Sequence, residues 1–528
     1  MVKNALTFPL TLLIVLGIAF LIFYVYTAIK TVSQSAEEDE IEPDFSESKT
    51  RNEIKKKKKK KRLPKVKNVF KLFCFKIWKI MRKIFIWLKH ILRQIFVWLK
   101  RILRKKAVIA CLAAVILFGV LIYVVQSMQY AWIELYDGTV EIVEYRGSAT
   151  SVTVPSRISG KDVTSIGEQA FKDCSNLTSV TIPEGVTEIG DSAFYGCYDL
   201  ESITLPDTLT RIDDWAFCDC DNLTTVTLPK NLKSIGDSAF YGCDDLMSIT
   251  LPEGLDRIGD YVFLACASLR RVVIPSGVTS IGDSAFANCY SLANLILPSG
   301  LTSIGASAFE YCLALESVDL PESLTHIGEG AFEHCQSLQR IVIPSNVMIL
   351  SDRLFAYCPL LKEVKLPDNL KSIGEYVFCC CYSLRSMTIP EGVTSIGVNA
   401  FYSCTMLESI DLPSSVTSIG GYAFYCCSNL ASITIPEALE SVWYGTFEGC
   451  SGLKSIVLLT PQIKFGDRAF HDCESLESIY FGVTKRPTGY IEGNNSAVHS
   501  ATWYYYSESA PIEDGDFWHY VDGVPTPW

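Results

Sequence analysis

The sequence predicts a solenoid, a fold in which one structural unit is stacked many times on itself, and its periodicity is the reason. Phe recurs every 23 residues from Phe171 to Phe470, fourteen times in register. Each of these Phe is followed by Cys three residues later and by Leu six residues later. A period that holds without insertion over about 300 residues is typical of repeat architectures. Because one unit cannot bury its own apolar face, stacking must supply the core.

A single repeat reads as a short strand, a turn and a second short element. In LESITLPDTLTRIDDWAFCDC, residues 200–220, the alternation at 203–205 predicts a strand with one buried face. Pro206 ends that strand, since Pro cannot donate to a central ladder. Ala216, Phe217 and Cys220 share one face at helical spacing, which predicts a short helical turn. Each repeat is therefore expected to contribute one parallel strand and one helical turn.

The pattern LxxIxLPxxLxxIxxxAFxxC resembles the leucine-rich repeats of the BspA-like family, whose bacterial and protozoan members are surface proteins. The resemblance covers residues 165–481, and it implies a solenoid of fourteen repeats. Residues 127–164 resemble the amino-terminal cap of this family, and Asp137–Gly138 is a hairpin signal in its own right. Residues 482–528 are rich in aromatic side chains and are expected to close the other end, because solenoids need atypical end units.

The cysteines predict a buried column of free thiols. Fourteen of the 20 Cys occupy the same repeat position. Equivalent side chains of stacked coils point in parallel, which is poor geometry for disulfides. The additional Cys218, Cys379, Cys380 and Cys426 lack the paired arms and His partners of a zinc site. No nucleophile elbow, phosphate loop or dinucleotide fingerprint is found. We expect no catalytic residues, no metal and no cofactor.

The part of the chain that precedes the repeats predicts a membrane anchor with two spans. Residues 1–29 contain the uncharged segment Leu6–Ile29, and residues 107–126 form a second apolar segment. Both are long enough to cross a bilayer as helices. Between them, Lys and Arg far outnumber Asp and Glu, although the whole chain carries a net charge of −11. The positive-inside rule then predicts a multi-pass membrane protein with both termini outside the cytoplasm.

The connecting loop predicts contacts with lipid. Residues 30–64 combine an acidic stretch with the polybasic block at 55–62, which suits anionic lipid at the inner leaflet. Beside two spans, this block is assigned to lipid rather than to nucleic acid. Residues 65–106 contain an eleven-residue repeat that predicts a basic amphipathic helix in the membrane interface, with a coiled-coil partner as the alternative. The proposed interface residues are Lys83, Trp87, Lys89, Trp98, Lys100 and Arg101.

The predicted function is recognition or adhesion through the concave face of the solenoid. The family resemblance implies that the partner is a host or cell-surface protein. Two alternatives remain open at this point. One is an envelope scaffold with no specific ligand, and the other is a transmembrane sensor. No recognisable signalling domain occupies residues 30–106, which weakens the sensor.

The strand residues eight and ten positions after each Phe are expected to face this concave surface. In the outer repeats they are mostly Ser or Thr, which suit a strand and need no ligand to explain them. The central repeats depart from this rule, and a mixture of aliphatic and charged side chains is typical of a binding surface. The predicted patch consists of Arg271, Val273, Asn294, Ile296, Asp319, Arg340, Val342, Glu363 and Lys365. Random drift among tolerant surface positions is the alternative.

Overall fold

The regular repeat sets the geometry of the chain, because each repeat forms one coil that hydrogen-bonds to the next. The computed structural model describes residues 83, 86–95, 114–118, 120, 129–460, 463–482, 493–509, 515–521 and 524–528. The chain divides into two units, residues 1–125 and residues 126–528. The second unit contains the repeats. Most of its coils have two strands, separated by a turn on one side and by the Phe-containing segment on the other.

The first strand of each coil belongs to a parallel ladder that we call the long-strand ladder. Neighbouring strands pair at an offset of one repeat, so that Val226 lies opposite Ile249. The ladder consists of Ser151–Thr153, Ser179–Thr181, Ser202–Thr204, Thr225–Thr227, Ser248–Thr250, Arg271–Val273, Asn294–Ile296, Arg340–Val342, Glu363–Lys365, Ser386–Thr388, Ser409–Asp411, Ser432–Ile435, Ser455–Leu458 and Ser478–Phe481. The predicted strand at 203–205 is therefore confirmed, with its bounds at Ser202–Thr204.

The second strand of each coil belongs to a short-strand ladder on another side of the coil. The second residue of each of these strands is buried and apolar, and the first residue is mostly polar. The strands are Glu188–Ile189, Arg211–Ile212, Ser234–Ile235, Arg257–Ile258, Ser280–Ile281, Ser303–Ile304, His326–Ile327, Ile349–Leu350, Ser372–Ile373, Ser395–Ile396, Ser418–Ile419, Ser441–Val442 and Lys464–Phe465.

The predicted short helical turns are wrong. Residues 213–220 form successive turns rather than a helix. The backbone N–H groups of Trp215, Phe217 and Asp219 donate to Asp237, Ala239 and Tyr241 of the next coil, at 2.8–3.0 Å. Trp215 and Asp219 adopt φ values of 56° and 55°, in the left-handed region. In this backbone every second N–H group, at 215, 217 and 219, points along the stacking direction. An α-helix would direct the same groups back into its own coil.

The repeat Phe residues form a continuous stack through the middle of the core. Successive rings lie 4.8–5.9 Å apart between centroids, and their planes are tilted by 2–23° from one another. Such spacing is typical of offset stacking. All fourteen rings are fully buried. Burial of each ring contributes about 1.5–3 kcal/mol, so this column is a major source of stability.

Both ends of the stack carry strands that depart from the repeat. At the amino-terminal end, Tyr130–Glu134 and Val140–Tyr145 form an antiparallel hairpin, which confirms the hairpin predicted at Asp137–Gly138. Lys161–Ile166 continues this sheet in parallel and also pairs with Arg157–Ile158. The ring of Tyr145 stacks on Phe171 at 5.1 Å. These residues therefore cover the first repeat.

At the carboxy-terminal end, the long-strand ladder continues beyond Ser478–Phe481 into three more strands. Thr502–Tyr506 and Phe517–Val521 extend it in parallel, and Val524–Pro527 closes it as an antiparallel edge. The helix Ser496–Ser500 precedes them. The last strand carries Pro525 and Pro527, which lack an N–H group and therefore limit pairing with a further strand.

In the first unit, the described residues are helical at 83, 86–95, 114–118 and 120. The prediction of two membrane spans, and with it the multi-pass localisation, is wrong. Among the described residues, no helix is long and apolar enough to cross a bilayer. Leu6–Ile29 lies outside the described residues, as do most of 107–126 and all of 30–64.

Candidate ligand-binding face

The long-strand ladder presents one exposed face along the solenoid. In strand Arg271–Val273 the middle residue is buried and both neighbours are exposed, and the same pattern recurs in most strands of the ladder. The alternation follows from the period of two of a strand. The residues eight and ten positions after each Phe thus form two parallel columns. We call this surface the strand face.

In the outer coils the strand face consists mainly of hydroxyl side chains. Ser179 lies opposite both Ser151 and Ser202, and Thr181 lies opposite Thr204. The hydroxyl of Ser179 donates to that of Ser151 at 2.7 Å. Such hydroxyl groups can satisfy one another along the ladder. This part of the surface is explained by the strands alone.

The central coils place the predicted patch on the same face. Arg271 and Val273 lie opposite Asn294 and Ile296 in parallel register. Arg340 and Val342 lie opposite Glu363 and Lys365 in the same way. All nine predicted residues are exposed. Three of them are aliphatic, and Val273, Ile296 and Val342 are 44%, 48% and 54% exposed. The structure therefore brings the predicted residues together in two pairs of adjacent strands, with Asp319 between them in sequence.

The ladder is interrupted inside this patch. Asn294–Ile296 ends the first long-strand sheet, and Ser317 makes a single parallel bridge with Arg340 on its other side. A pocket of about 280 Å³ lies at the interruption. Its lining consists of Arg271, Ala293, Asn294, Leu295, Ile296, Ser317 and Asp319. Four of the predicted residues thus share one pocket, which the sequence did not reveal because the repeat pattern is unbroken there.

The charges of the patch are available to a partner. Arg271, Arg340 and Lys365 are positive, whereas Asp319 and Glu363 are negative. Within the part of the chain that the structure describes, none of these five side chains forms an ion pair. By contrast, Arg385, farther along the solenoid, pairs with Glu408 at 2.8 Å. The central patch therefore combines exposed apolar groups with charged side chains that form no ion pair among the described residues.

A second feature of the strand face was missed at the sequence level. Trp518 is fully buried, and its indole N–H donates to the carbonyl of Phe481 at 2.9 Å. Its ring lies edge-on to Tyr480, Tyr506 and Tyr520, with centroids 4.9–5.5 Å away. The aromatic density of the tail was the available signal, but it was assigned only to closing the core. These rings instead cover part of the strand face near the carboxy terminus.

The predicted membrane-interface residues are only partly described. Lys83 and Lys89 are exposed, and Trp87 is exposed on the helix 86–95. On this helix Leu88 is buried, whereas Leu92 is exposed. Trp98, Lys100 and Arg101 lie outside the described residues. The contact of this segment with anionic lipid stays a prediction, and its assignment to an inner leaflet falls with the two spans.

The cysteines fall into two chemical environments. From Cys197 to Cys473 the repeat Cys are buried, whereas Cys174 of the first repeat is half-buried. Burial raises the pKa of thiols such as Cys220 and Cys312. Cys379 and Cys380 are different, because their sulfur atoms lie 3.7 Å apart. The hydrogen bond from Cys379 lowers the pKa of Cys380 below its ordinary value. Among the described residues, no group of three or more His, Cys, Asp or Glu side chains could hold a metal ion.

Comparison with known proteins gives a family match along the repeats. The family model described as BspA type leucine rich repeat region (6 copies) matches residues 144–270, 256–385 and 371–489. No curated protein matches the chain.

Solved structures of bacterial leucine-rich repeat proteins also resemble the chain. A leucine-rich repeat protein from Bacteroides ovatus is 27% identical, with 67% of this chain and 93% of that chain covered and a TM-score of 0.49. A leucine rich cell surface protein from Faecalibacterium prausnitzii is 29% identical, with 70% and 95% covered and a TM-score of 0.44. The family match alone spans more than half of the chain. The chain therefore belongs to the BspA type leucine rich repeat family.

Proposed function

We propose that the protein is a recognition or adhesion protein that binds a host or cell-surface protein through the central strand face. The observation that carries this proposal is the change in chemistry along one regular surface. Ser and Thr columns give way in the central coils to Arg271, Val273, Ile296, Arg340 and Val342, although the backbone stays in register. Nothing in the fold requires this change, since hydroxyl side chains serve the same strand positions elsewhere.

The composition of the patch suits a protein partner. Protein interfaces are enriched in Arg and in apolar groups at their centre and carry polar groups at the rim. Val273 and Ile296 are adjacent on neighbouring strands and expose aliphatic groups that gain free energy when they are covered. Arg271 and Arg340 can form two parallel hydrogen bonds to a carboxylate of the partner. Such a surface offers both affinity and orientation.

The pocket at the ladder interruption supports the same proposal. Binding energy at interfaces is concentrated where a side chain of one partner fills a pocket of the other. The pocket of about 280 Å³ has Ile296 and the side chains of Arg271 and Asp319 in its lining. A partner side chain with an apolar stem and a polar end matches that lining. Membership in a family that includes surface proteins supports a partner on a cell surface.

The test uses the purified full chain and a matched pair of double variants. The chain is immobilised and exposed to surface-labelled proteins from host epithelial cells, and the captured proteins are quantified by mass spectrometry. We expect at least one protein to bind the wild type and to bind R271S/R340S about tenfold more weakly. The control T204A/T434A changes the same columns outside the patch and should bind as the wild type does. Circular dichroism establishes that all three proteins are folded.

Three results would contradict the proposal. Equal losses in both double variants would show that the central patch has no special role. No loss in the Arg variant would remove the patch as the binding site. If neither the wild type nor either variant captured a protein, the result would favour a scaffold without a specific ligand.

A further inference from the structure

A second pocket lies on a different side of the solenoid, next to the Phe-containing turn segments. It has a volume of about 370 Å³, within the range of small-molecule sites. Its lining consists of Asn399, Tyr402, Tyr422, Tyr425, Tyr444, Glu448 and Arg468. These residues come from four successive coils, and they occupy positions just before or just after the repeat Phe. None of them belongs to the strand face.

The pocket is built from aromatic rings at defined angles. Tyr402 and Tyr425 stack on each other, with centroids 4.7 Å apart and planes tilted by 11°. The ring of Tyr422 stands edge-on to Tyr425 at 5.7 Å and to Tyr444 at 5.2 Å. All four side chains are at least partly exposed. A concentration of tyrosines in three adjacent coils gives the pocket walls with both apolar faces and hydroxyl edges.

A glycine makes room for this arrangement. Gly445 precedes Phe447 by two residues, at the position held by Tyr422 in the preceding coil and by Arg468 in the next. Its φ value is +60°, and a Cβ atom there would come within 2.5 Å of the ring of Tyr422. Any side chain at this position would therefore displace that ring. The absence of a side chain lets the ring of Tyr422 lie against the next coil.

Polar groups of fixed geometry line the rest of the pocket. Arg468 donates through Nε to Glu448 at 3.0 Å, and its Nη2 donates to the other carboxylate oxygen. Glu448 is almost fully buried, so the pair holds both side chains in place. Asn399 is 8% exposed, and its side-chain amide has no hydrogen-bond partner among the residues that the structure describes. An amide offers donors and an acceptor together.

We propose that this pocket binds a saccharide ring. A pyranose has a C–H face that packs against the electron-rich face of an aromatic ring. Its hydroxyl groups both donate and accept hydrogen bonds. They can therefore bond to the amide of Asn399, which has donors and an acceptor, and to the exposed edge of the Arg468–Glu448 pair. The tyrosine rings of the pocket can pack against the C–H face of the sugar, and the polar groups of Asn399, Glu448 and Arg468 can bond to its hydroxyl groups. The pocket is separate from the strand face, so this site does not depend on the proposed protein partner.

A quaternary ammonium ion is the other ligand that aromatic cages take, and the pocket disfavours it. Such cages rely on the negative faces of the rings, and a nearby carboxylate strengthens them. Here the carboxylate of Glu448 is already paired with Arg468. A cation in the pocket would therefore meet the guanidinium without a free carboxylate to offset it.

Ligand-observed saturation-transfer NMR on the full chain tests this proposal. The probes are the methyl glycosides of glucose, galactose, mannose and N-acetylglucosamine, with tetramethylammonium as the cationic probe. We expect at least one glycoside to receive saturation, most strongly at its ring C–H protons. The signal should fall about tenfold in Tyr422→Ala and in Asn399→Ala. Asn399→Ala is the smaller change and guards against loss of folding in the first variant.

Tyr261→Ala is the matched control, because Tyr261 stands two residues before Phe263, as Tyr422 does before Phe424, and lies outside the pocket. The control should bind as the wild type does. Three results would overturn the proposal. These are the absence of saturation in all four glycosides, an equal loss in the Tyr261 variant, and saturation of tetramethylammonium alone.

Discussion

The repeat Cys is explained by one hydrogen bond that recurs along the core. From Cys197 to Cys473, each sulfhydryl group donates to the carbonyl of the Phe 26 residues earlier, at 3.1–3.4 Å. That carbonyl also accepts from the N–H three residues later, as Phe171 does from Cys174. Cys thus fills a small apolar space and supplies a donor. All of the described cysteines are free thiols.

At the residue scale, the first prediction concerns Cys312, which is fully buried and donates to Phe286. Cys312→Ala removes little volume and one weak hydrogen bond, so the free energy of unfolding should fall by about 1 kcal/mol. Cys312→Asp buries an unpaired polar group and should disrupt neighbouring coils. Urea unfolding followed by circular dichroism measures both. Mass spectrometry that found most repeat Cys in disulfides would contradict the free-thiol column.

The second prediction concerns the pH dependence of stability through Glu333. Burial, with Glu310 nearby, raises its pKa to about 7, although Arg353 opposes the shift. Between its ordinary pKa and this value, the folded protein holds a proton that the unfolded chain has lost. Stability therefore falls as pH rises through this window. We therefore compare the free energy of unfolding of Glu333→Gln with that of the wild type at two pH values. The difference in favour of the variant should be about 1 kcal/mol larger near pH 8 than near pH 5, after allowance for solvent screening.

Thermal unfolding at the two pH values measures this difference. Glu363→Gln is the control, because it removes an exposed carboxylate from the strand face. A difference between Glu333→Gln and the wild type that stayed constant with pH would show that Glu333 is not the group responsible.

At the scale of the element, the turn segments depend on left-handed residues. All fourteen residues that precede the repeat Phe by two positions have positive φ, from Gln169 to Arg468. Ser307 is one of them, with φ of 51°, and its N–H donates to Glu329 of the next coil at 2.8 Å. Left-handed backbone is a genuine outlier for a β-branched residue. The side chains tolerated at this column are therefore restricted by the backbone.

Ser307→Val should destabilise the protein by about 1–3 kcal/mol for this reason. Ser303→Val is the matched control, since Ser303 lies in the strand Ser303–Ile304 of the same coil and Val favours extended backbone. The measurement is the midpoint of thermal unfolding for both variants. If the two substitutions had equal effects, the left-handed geometry of the column would be in doubt.

The last repeat is closed by a side chain that takes the place of a further coil. The N–H of Phe470 donates to Oδ1 of Asn495 at 2.9 Å, whereas the N–H of Phe447 donates to the backbone of Ala469. Nδ2 of Asn495 in turn donates to the carbonyl of Gly466 at 2.9 Å. Asn495 is fully buried. One amide side chain therefore satisfies two backbone groups that the end of the stack would leave unpaired.

Asn495→Leu should leave both groups unsatisfied and lower the stability of the last coils by about 2–4 kcal/mol. Asn494→Ala is the control, because Asn494 is exposed and hydrogen-bonds through its backbone. Hydrogen exchange of residues 447–482 measures the effect. Unchanged exchange in Asn495→Leu would show that another contact closes the stack.

The Phe stack, the turn segments and Asn495 show which parts of the structure the sequence predicts and which it does not. The regular spacing of Phe predicts the stack, the buried Phe and Cys columns and the exposed strand pairs, because each depends on a local pattern. The turn at Trp215–Asp219 was assigned to a helix because Ala216, Phe217 and Cys220 share a helical spacing. That spacing is equally satisfied by turns that bond to the next coil. Asn495 and the tyrosine pocket depend on contacts between coils, which a single unit does not encode.

At the scale of the whole solenoid, each repeat is stabilised by contacts with its two neighbouring repeats only. The hydrogen bonds of each turn segment reach the adjacent coil, and each Phe ring contacts the rings before and after it. In such an arrangement, the stability is close to a sum of terms for individual repeats and their interfaces. A defect is therefore expected to remain local rather than to unfold the entire stack. The central strand face could then lose order while both ends stay folded.

Phe309→Ala tests this locality. Phe309 is fully buried and stacks on Phe286 at 5.5 Å and on Phe332 at 5.4 Å. Its removal should cost about 3–5 kcal/mol, and the cavity should weaken the coils on either side. Hydrogen exchange measured by mass spectrometry should accelerate between residues 280 and 340 and stay unchanged near Phe171 and Phe470. Tyr311→Ala, which removes a partly exposed ring of the same coil, is the control. Uniform acceleration over all repeats would instead show that the solenoid unfolds as one cooperative unit.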